Sequence, residues 1–298
     1  MSLGGVGAVY DRGYRPYEGA RGGRDAARAA LYWASIRRAL GLRRSWRQKV
    51  APFVLLGIVT VPAIVNVGIG YVTRNEVLDR VEIITYRDYV GVSSALLVFV
   101  ALVAPDVVCP ERRQRVLALL FARPLLGLDY VVAKVGAIAT ILFAFSFLPQ
   151  VLLFVGNMLV SDSALDYVGD HLDVLWKVPA AVMVLALYYA IIGVAIASLT
   201  DRRIVAGSAL IGLFLVTLIA LGVIVGDFEN GQGSPGALVN VLALPLYLRD
   251  LIFLGHLDSE SPLGGVTAGA VLAVGVYVVI TVSAAAVLAW RYRWVETA

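Results

Sequence analysis

Residues 179–226 read PAAVMVLALYYAIIGVAIASLTDRRIVAGSALIGLFLVTLIALGVIVG. Two apolar stretches, 179–199 and 204–226, lie on either side of the polar turn TDRR. An α-helix needs about 20 residues to cross the roughly 30 Å hydrocarbon core of a bilayer, and both stretches are long enough. A charged group at the bilayer centre costs at least about 2.5 kcal/mol. Because neither stretch contains a charge, both are predicted to be membrane-spanning helices.

Four further apolar stretches with almost no charge occur at 50–73, 89–108, 131–160 and 266–290. The chain is 60% hydrophobic and only 15% charged, whereas soluble domains carry about 25% charged residues. The segments between the stretches are too short for a separate folded domain. These features predict an all-α integral membrane protein with one six-span transmembrane domain over 50–298.

Basic residues are concentrated in alternate connecting segments. One set of segments contains 20 Lys and Arg against 8 acidic residues, and it comprises 1–49, 109–134, 200–203 and 291–298, with Asp106 at the membrane edge. The other set contains 5 against 13, and it comprises 74–88, 161–178 and 227–265. The positive-inside rule therefore predicts a multi-pass protein of the cytoplasmic membrane with both termini in the cytoplasm.

The region before the first span divides in two. Residues 1–23 have no apolar core of a signal peptide and are predicted to form a flexible cytoplasmic tail. Residues 24–49 show a helical pattern, with Arg37, Arg38 and Arg44 on the polar face. The apolar face comprises Leu31, Tyr32, Ile36, Ala39, Leu40 and Leu42. We expect an amphipathic interfacial helix lying flat on the inner leaflet, either as a plain anchor or with a further role.

The cytoplasmic segment between the second and third spans, residues 109–134, reads CPERRQRVLALLFARPLLGLDYVVAK. Pro110 suits the first position of a helix, where its missing N–H would be unpaired in any case. Glu111 then lies where the helix dipole favours an anion. The segment predicts a cytoplasmic helix over 110–123 with a charged beginning and an apolar end, which Pro124 terminates.

Several classes of function lack the residues that they require. The single cysteine, Cys109, excludes an intrachain disulfide and a cysteine-built metal cluster. His171 and His256 lie in different loops, so no metal site is expected. The chain contains no phosphate-binding loop of the G-x-x-x-x-G-K-[ST] type, no catalytic constellation and no nucleic-acid motif. We therefore expect no enzyme activity, no bound cofactor and no nucleic-acid partner for this chain.

A few polar residues lie inside the predicted spans. Asn66, Gln150, Asn157 and Tyr188 are candidates for lining a substrate path, because polar groups within a membrane often do so. The alternative is a hydrogen bond between helices, which contributes about 0.6 kcal/mol on average. No span carries the series of Asp, Glu, Lys and His residues that is typical of a proton-coupled pump.

The last external segment contains a further apolar run at residues 234–255. A seventh span here would place the C-terminal arginines outside, against the charge pattern. Pro245 and the Arg249-Asp250 pair also interrupt the run. We expect two short re-entrant helices that enter the outer leaflet, return, and pack on the spans.

Residues 111–134 resemble the cytoplasmic signature of the type-two ATP-binding-cassette (ABC) export permeases. That signature has Glu-Arg, a short hydrophobic helix, a proline, and a lysine before the next span. The matching residues are Glu111, Arg112, Leu119, Leu120, Pro124 and Lys134. The N-terminal sequence YDRGYRPYEGARGGR is similar to the start of a subgroup of these permeases in high-GC Gram-positive bacteria.

This resemblance implies the permease subunit of an ATP-driven exporter. A separate ABC ATPase would bind ATP and magnesium, and a second permease copy or a homologue would complete a dimer. The implied ATPase-coupling residues are Glu111, Arg112, Arg113, Arg115, Leu119, Arg123 and Pro124, with a smaller contact at Asp201, Arg202 and Arg203.

Two alternatives remain beside the exporter. One is a membrane component of an ABC-like complex that signals or scaffolds without moving a substrate, and the other is an unrelated secondary transporter or channel. The apolar span surfaces hint at an amphipathic or lipid-like cargo but do not identify it.

Overall fold

The structure is a computed structural model that describes residues 22–42, 46–73, 85–90, 93–122, 124–226 and 234–296. Within these residues all regular secondary structure is helical. The α-helices are α1 (Arg24–Ala39), α2 (Trp46–Thr73), α3 (Tyr86–Val90), α4 (Ser93–Arg113), α5 (Leu117–Phe121), α6 (Gly127–Val160), α7 (Ala164–Asp170), α8 (Val174–Leu199), α9 (Arg203–Gly226), α10 (Leu244–Leu254) and α11 (Gly269–Glu296). A short 3₁₀ helix, Pro235–Val239, precedes α10.

Six helical stretches in the described part of the chain are long and apolar enough to cross a membrane. They are Phe53–Val72, Tyr86–Arg113, Gly127–Val160, Val174–Leu199, Arg203–Val223 and Gly269–Arg293. The sequence-based prediction of six apolar helices is therefore confirmed. The chain has the architecture of an all-α, multi-pass membrane protein.

The helices extend beyond the apolar stretches that predicted them. The second span was expected to end at residue 108, but α4 continues to Arg113. The third and fourth were expected to begin at residues 131 and 179, but α6 begins at Gly127 and α8 at Val174. Apolar composition marks only the part of a helix suited to hydrocarbon, whereas backbone hydrogen bonding continues into the polar ends.

The second and fourth spans form the centre of the bundle. About 73% of the apolar window in Tyr86–Arg113 and 72% of that in Val174–Leu199 are buried, against 17–22% in the spans formed by α2, α9 and α11. Small residues allow close helix approach. A Cβ atom on Gly207 of α9 would lie 2.9 Å from the Ala101 carbonyl oxygen of α4.

The two ends of the bundle differ in charge. The basic end contains α1, the last turn of α4, the start of α6, the turn between α8 and α9, and the end of α11. The acidic end contains α3, α7, α10 and the segment that follows α10. The basic and the acidic connecting segments that the sequence distinguishes therefore lie, in their described parts, at opposite ends of the helix bundle.

The first helix differs from its prediction. It ends at Ala39 rather than continuing to residue 49, and Gly41 follows with a φ of 65°, a left-handed conformation that suits glycine. Its apolar residues Leu31 and Ile36 are buried against the bundle, where α1 packs on α6 and α4. Protein therefore covers most of the face that was expected to enter the lipid, whereas Leu42 is 41% exposed. The predicted tail falls almost entirely on residues 1–21, which lie outside the described residues.

The apolar run at 234–255 is not one long helix. It contains the 3₁₀ helix and α10, which ends at Gly255 with a φ of 77°. Helix α10 packs on α8 and α11, and the 3₁₀ helix packs on α9 and α11. Its re-entrant position in a membrane stays a prediction.

Candidate functional site

A buried carboxylate lies at the centre of the basic end. Glu111 of α4 is only 6% exposed. One of its oxygens, Oε1, is 2.6 Å from Lys134 Nζ of α6 and 2.6 Å from Arg38 Nη1 of α1. The other, Oε2, accepts a hydrogen bond of 2.8 Å from the Tyr130 hydroxyl. This single side chain therefore joins three helices.

The partner lysine is more deeply buried than the carboxylate. Lys134 is 1% exposed and also donates to the Val107 carbonyl oxygen at 3.4 Å. A buried ammonium and a buried carboxylate each lose hydration, so the pair is stable only if both remain fully bonded. The geometry meets this condition because two cations and a hydroxyl surround Glu111.

A second carboxylate fixes the beginning of α1. Asp129, in the first turn of α6, is 3% exposed. It accepts hydrogen bonds from Arg24 Nε at 2.6 Å and from Arg28 Nε at 2.7 Å, and one from the Leu126 N–H at 3.0 Å. Helix α1 is thus held by ion pairs near both of its ends.

The end of α4 is bonded to the turn between α8 and α9. Arg112 Nη2 lies 3.2 Å from Asp201 Oδ1, and Arg112 Nη1 donates to the Ser198 carbonyl oxygen. Arg203, the first residue of α9, forms an ion pair with Asp106 of α4. These contacts join segments that are about ninety residues apart in the chain.

A cleft of about 1130 Å³ opens between the same two segments. Its lining residues are Pro110, Arg113 and Gln114 on one side and Asp201, Arg202, Arg203, Ile204 and Val205 on the other. Arg113, Gln114, Asp201 and Arg202 are exposed. The cleft therefore presents three exposed or half-exposed arginines and an open apolar edge at Ile204, which is 86% exposed.

The predicted helix over 110–123 is wrong in its boundaries. Pro110 lies inside α4, and the helix ends only at Arg113. Arg115 then adopts a φ of 54°, and the short helix α5 follows. The proline is tolerated inside the helix because neighbouring helices and side chains compensate for lost backbone bonds in membrane bundles. The charged head is therefore the end of a span, and only Leu117–Phe121 forms a separate helix.

The structure separates the coupling candidates within residues 111–124 into two groups. The side chains of Glu111 and Arg112 are bonded to other residues of this chain, Lys134 and Asp201 among them. The other group is exposed, with Leu119 at 72%, and it comprises Arg113, Arg115, Leu119 and Pro124. Arg123 lies outside the described residues.

The four candidate pathway residues do not occupy one place. Gln150 Nε2 donates to the Tyr86 carbonyl oxygen at 3.2 Å, and Asn157 Nδ2 lies 3.4 Å from the Tyr86 hydroxyl. Asn66 is buried on α2 at 8% exposure. Tyr188 is fully buried on α8, and its hydroxyl donates to the Val241 carbonyl oxygen at 2.9 Å. This hydrogen bond within the chain explains the buried Tyr188 hydroxyl, so no contact with a substrate is needed to explain it.

The acidic end contains a partly exposed ion pair and a buried ion pair. Arg87 Nη1 lies 2.7 Å from Asp258 Oδ2, and Arg249 Nη2 lies 2.7 Å from Asp250 Oδ1. The Glu260 N–H and the Arg87 side chain hold the pKa of Asp258 below its usual value. Burial raises the pKa of the Asp250 carboxyl, against the effect of the neighbouring Arg249.

Sequence reasoning missed the partners in the Glu111 network. Lys134 was assigned to the return into the membrane and Arg38 to the polar face of α1. A usable signal existed, because a lysine among apolar residues of a span must find a partner to avoid a large desolvation cost. Arg24 and Arg28 carried no comparable signal, since both lie in a polar segment, and Asp129 was assigned to the cytoplasmic segment before the third span.

No protein-family model matches the chain, and no curated protein matches it. The functional conclusion therefore depends on the residues and geometry above.

Proposed function

We propose that this protein is the transmembrane subunit of an ATP-driven exporter, with the ATPase on a separate polypeptide that docks at the basic end. The observation that carries the proposal is the cleft between residues 110–114 and 201–205. The resemblance to type-two ABC permeases implies that these two segments contact the ATPase. Because both segments line one exposed cleft, an ATPase could contact them together at a single surface.

The bonding around the cleft supports mechanical coupling. One wall is the end of α4, whose Arg112 is bonded to the turn between α8 and α9. The adjacent residue Glu111 is bonded to α1 and α6. A partner that moved the cleft would therefore be expected to move both central spans, because α4 and α8 pack on each other.

The charge distribution supports a cytoplasmic position for the basic end. The cytoplasmic loops of membrane proteins carry an excess of arginine and lysine. The basic end would then face the compartment that contains ATP. A second copy or a homologue is part of the proposal, since six spans are few for a complete export pathway.

Charge reversal in the cleft tests the docking. We expect Arg113→Glu combined with Arg202→Glu to abolish co-purification of the ATPase encoded beside this gene. Both side chains are exposed, so membrane insertion and the elution volume of the detergent-solubilised protein should be unchanged. Arg293→Glu, an exposed charge reversal on α11 at the same end, is the matched control and should retain the ATPase. Normal co-purification and normal export by the double variant would contradict the proposal.

Thiol labelling tests the orientation. Single cysteines at Asp166→Cys and Arg113→Cys, in a Cys109→Ser background, separate the acidic end from the basic end. In intact cells an impermeant thiol reagent should label the first and spare the second. Labelling of Arg113→Cys alone would reverse the orientation and remove the ATPase from the cleft.

Substrate dependence separates the exporter from a scaffold. If the complex transports, a transported compound should stimulate ATP hydrolysis in reconstituted vesicles. ATPase binding with no stimulation by any exported compound would instead support a signalling or scaffolding component.

A further inference from the structure

A groove of about 570 Å³ lies between the end of α1 and the helices α4 and α9. It is separate from the side-chain network around Tyr130 and Lys134, although Arg38 contributes to both. Its walls are mostly apolar and its mouth at the basic end is charged. This division along one groove is the feature that suggests a ligand.

The apolar part faces away from the protein core. Leu102 on α4 is 53% exposed, and Ile204 and Ile211 on α9 are 86% and 39% exposed. The groove extends over about 8 residues of α9, which corresponds to roughly 12 Å of helix. Both helices belong to stretches that are long and apolar enough to cross a membrane, so we expect this side of the groove to face lipid. An occupant must therefore be apolar over this length.

The mouth of the groove carries two arginines and one aspartate, Arg38, Arg203 and Asp106. Arg38 uses Nη1 to bind Glu111, and Arg203 uses Nη1 to bind Asp106. A guanidinium has five N–H donors, so each retains donors for further oxygen atoms. Arginine pairs favourably with phosphate because its planar donors match two oxygens at once. Among the described residues, the mouth thus has a net positive charge, and its two guanidinium groups have donors beyond those used in the ion pairs above.

We propose that this groove binds one anionic phospholipid from the leaflet at the basic end. The phosphate contacts Arg38 and Arg203, and the beginning of an acyl chain lies along Leu102, Ile204 and Ile211. A neutral zwitterionic lipid would bring a cation near the same arginines, so the groove selects a net negative headgroup. The groove shares Arg203 and Ile204 with the cleft assigned to the ATPase. Its test uses this chain alone in vesicles, so failure of the lipid site and failure of the proposed exporter function are distinguishable.

Photo-crosslinking tests the lipid site. The full-length protein is reconstituted in phosphatidylcholine vesicles with a trace of phosphatidylglycerol that carries a photoactivatable group near the start of one acyl chain. We expect crosslinks on residues 101–106 and 204–211, located by mass spectrometry. The same group on phosphatidylcholine should label these residues about tenfold less, since it loses the preference of charge-assisted bonds. Raising the salt concentration should reduce the difference.

Two variants separate the contribution of the lipid headgroup from that of its acyl chain. Arg203→Gln should reduce phosphatidylglycerol labelling by about tenfold, the typical effect of losing one bond to a charged group. Ser208→Trp, an exposed position in the groove wall, should block labelling by filling the groove without removing a charge. Arg293→Gln removes an exposed arginine at the same end and should leave labelling unchanged.

Three results would overturn the proposal. Equal labelling by both lipids would mean that the groove is ordinary lipid-exposed surface. Labelling of Ser208→Trp at the wild-type level would place the lipid elsewhere. Protein-to-protein crosslinks from the groove, in place of lipid crosslinks, would mean that a second copy covers it.

Discussion

The basic and acidic ends of the bundle hold their helices together in different ways. At the basic end the bonding depends on deeply buried charges, with the Lys134 side chain at 1% exposure and that of Glu111 at 7%. At the acidic end the ion pair between Arg87 and Asp258 has side chains that are 24% and 26% exposed. The buried bonds at this end include the ion pair between Arg249 and Asp250, which are neighbours within α10, and bonds from tyrosine hydroxyls to backbone carbonyl oxygens.

This difference determines what each end can tolerate. Removing one partner of a buried ion pair costs about 3–5 kcal/mol because the other charge stays buried and unpaired. A neutral buried hydrogen bond contributes less, about 0.5–1.5 kcal/mol net. A more exposed ion pair contributes least, since water already solvates both partners. The Glu111 network, which joins three helices through buried charges, should therefore be harder to break than the partly exposed pair of Arg87 and Asp258 or a single tyrosine hydrogen bond at the acidic end.

Charge reversal at Glu111 should have the largest effect. Glu111→Lys places a second ammonium beside Lys134 and Arg38, so we expect a loss of about 3–5 kcal/mol in stability. The measurement is thermal unfolding of the detergent-solubilised protein, monitored by the loss of its size-exclusion peak after heating. Glu260→Lys, an exposed reversal at the acidic end, should unfold at nearly the wild-type temperature.

The same position also offers a compensating variant. Glu111→Gln with Lys134→Met removes the buried charge pair from both sides and should recover much of the stability lost in Glu111→Lys. If Glu111→Lys unfolded at the same temperature as Glu260→Lys, the conclusion that the Glu111 carboxylate is buried and paired would be wrong. Because stability and docking are both expected to change, Glu111 is a poorer test of ATPase binding than Arg113 and Arg202.

Loss of a tyrosine hydroxyl should have an intermediate effect. The Tyr189 hydroxyl donates to the Leu242 carbonyl oxygen at 2.9 Å, and the residue is fully buried. Tyr189→Phe should lower the stability by about 1–3 kcal/mol, because the carbonyl group loses a buried partner. Amide hydrogen exchange should increase in residues 240–254 before it increases in α4. The matched control is Tyr71→Phe, because Tyr71 is 67% exposed. An equal loss of stability in both variants would contradict the buried hydrogen bond assigned to Tyr189.

The ion pair at Asp258 should have the smallest effect and a defined pH dependence. Bonding lowers the pKa of Asp258 in the folded protein, so its stabilisation is present above the unfolded pKa of about 3.9. It is lost as the pH falls through the lower, folded pKa. Arg87→Gln should therefore reduce the melting temperature at pH 7 by less than Tyr189→Phe does, and the difference from wild type should shrink in acid. A difference that grew as the pH fell would contradict this sign.

Sequence reasoning found the spans but misjudged some helix ends and one helix face. The end of α4 and the beginning of α6 could not be predicted from hydropathy, because the terminal turns there contain charged residues such as Arg112 and Asp129 yet remain helical. The apolar face of α1 was recognised from its periodicity through residues such as Leu31 and Ile36. Periodicity cannot distinguish lipid from protein as the surface that covers such a face, and here α6 and α4 cover it.

The candidate site was predictable in its segments and not in its bonding. Residues 110–114 and 201–205 were each selected from sequence, on the resemblance and on their position between spans. Their shared cleft required the structure. The signature residue Glu111 was assigned to a docking surface, whereas its side chain points toward Lys134 within the chain.

Sequence alone determined that the chain has six apolar helices and that positive charge is concentrated in alternate connections. Both are consequences of the cost of placing polar groups in hydrocarbon, and that cost depends on composition along the chain. Only the tertiary structure determined that Glu111 pairs with residues 23 and 73 positions away. Such pairing depends on how each helix is rotated about its axis and packed on its neighbours, and composition does not contain that information.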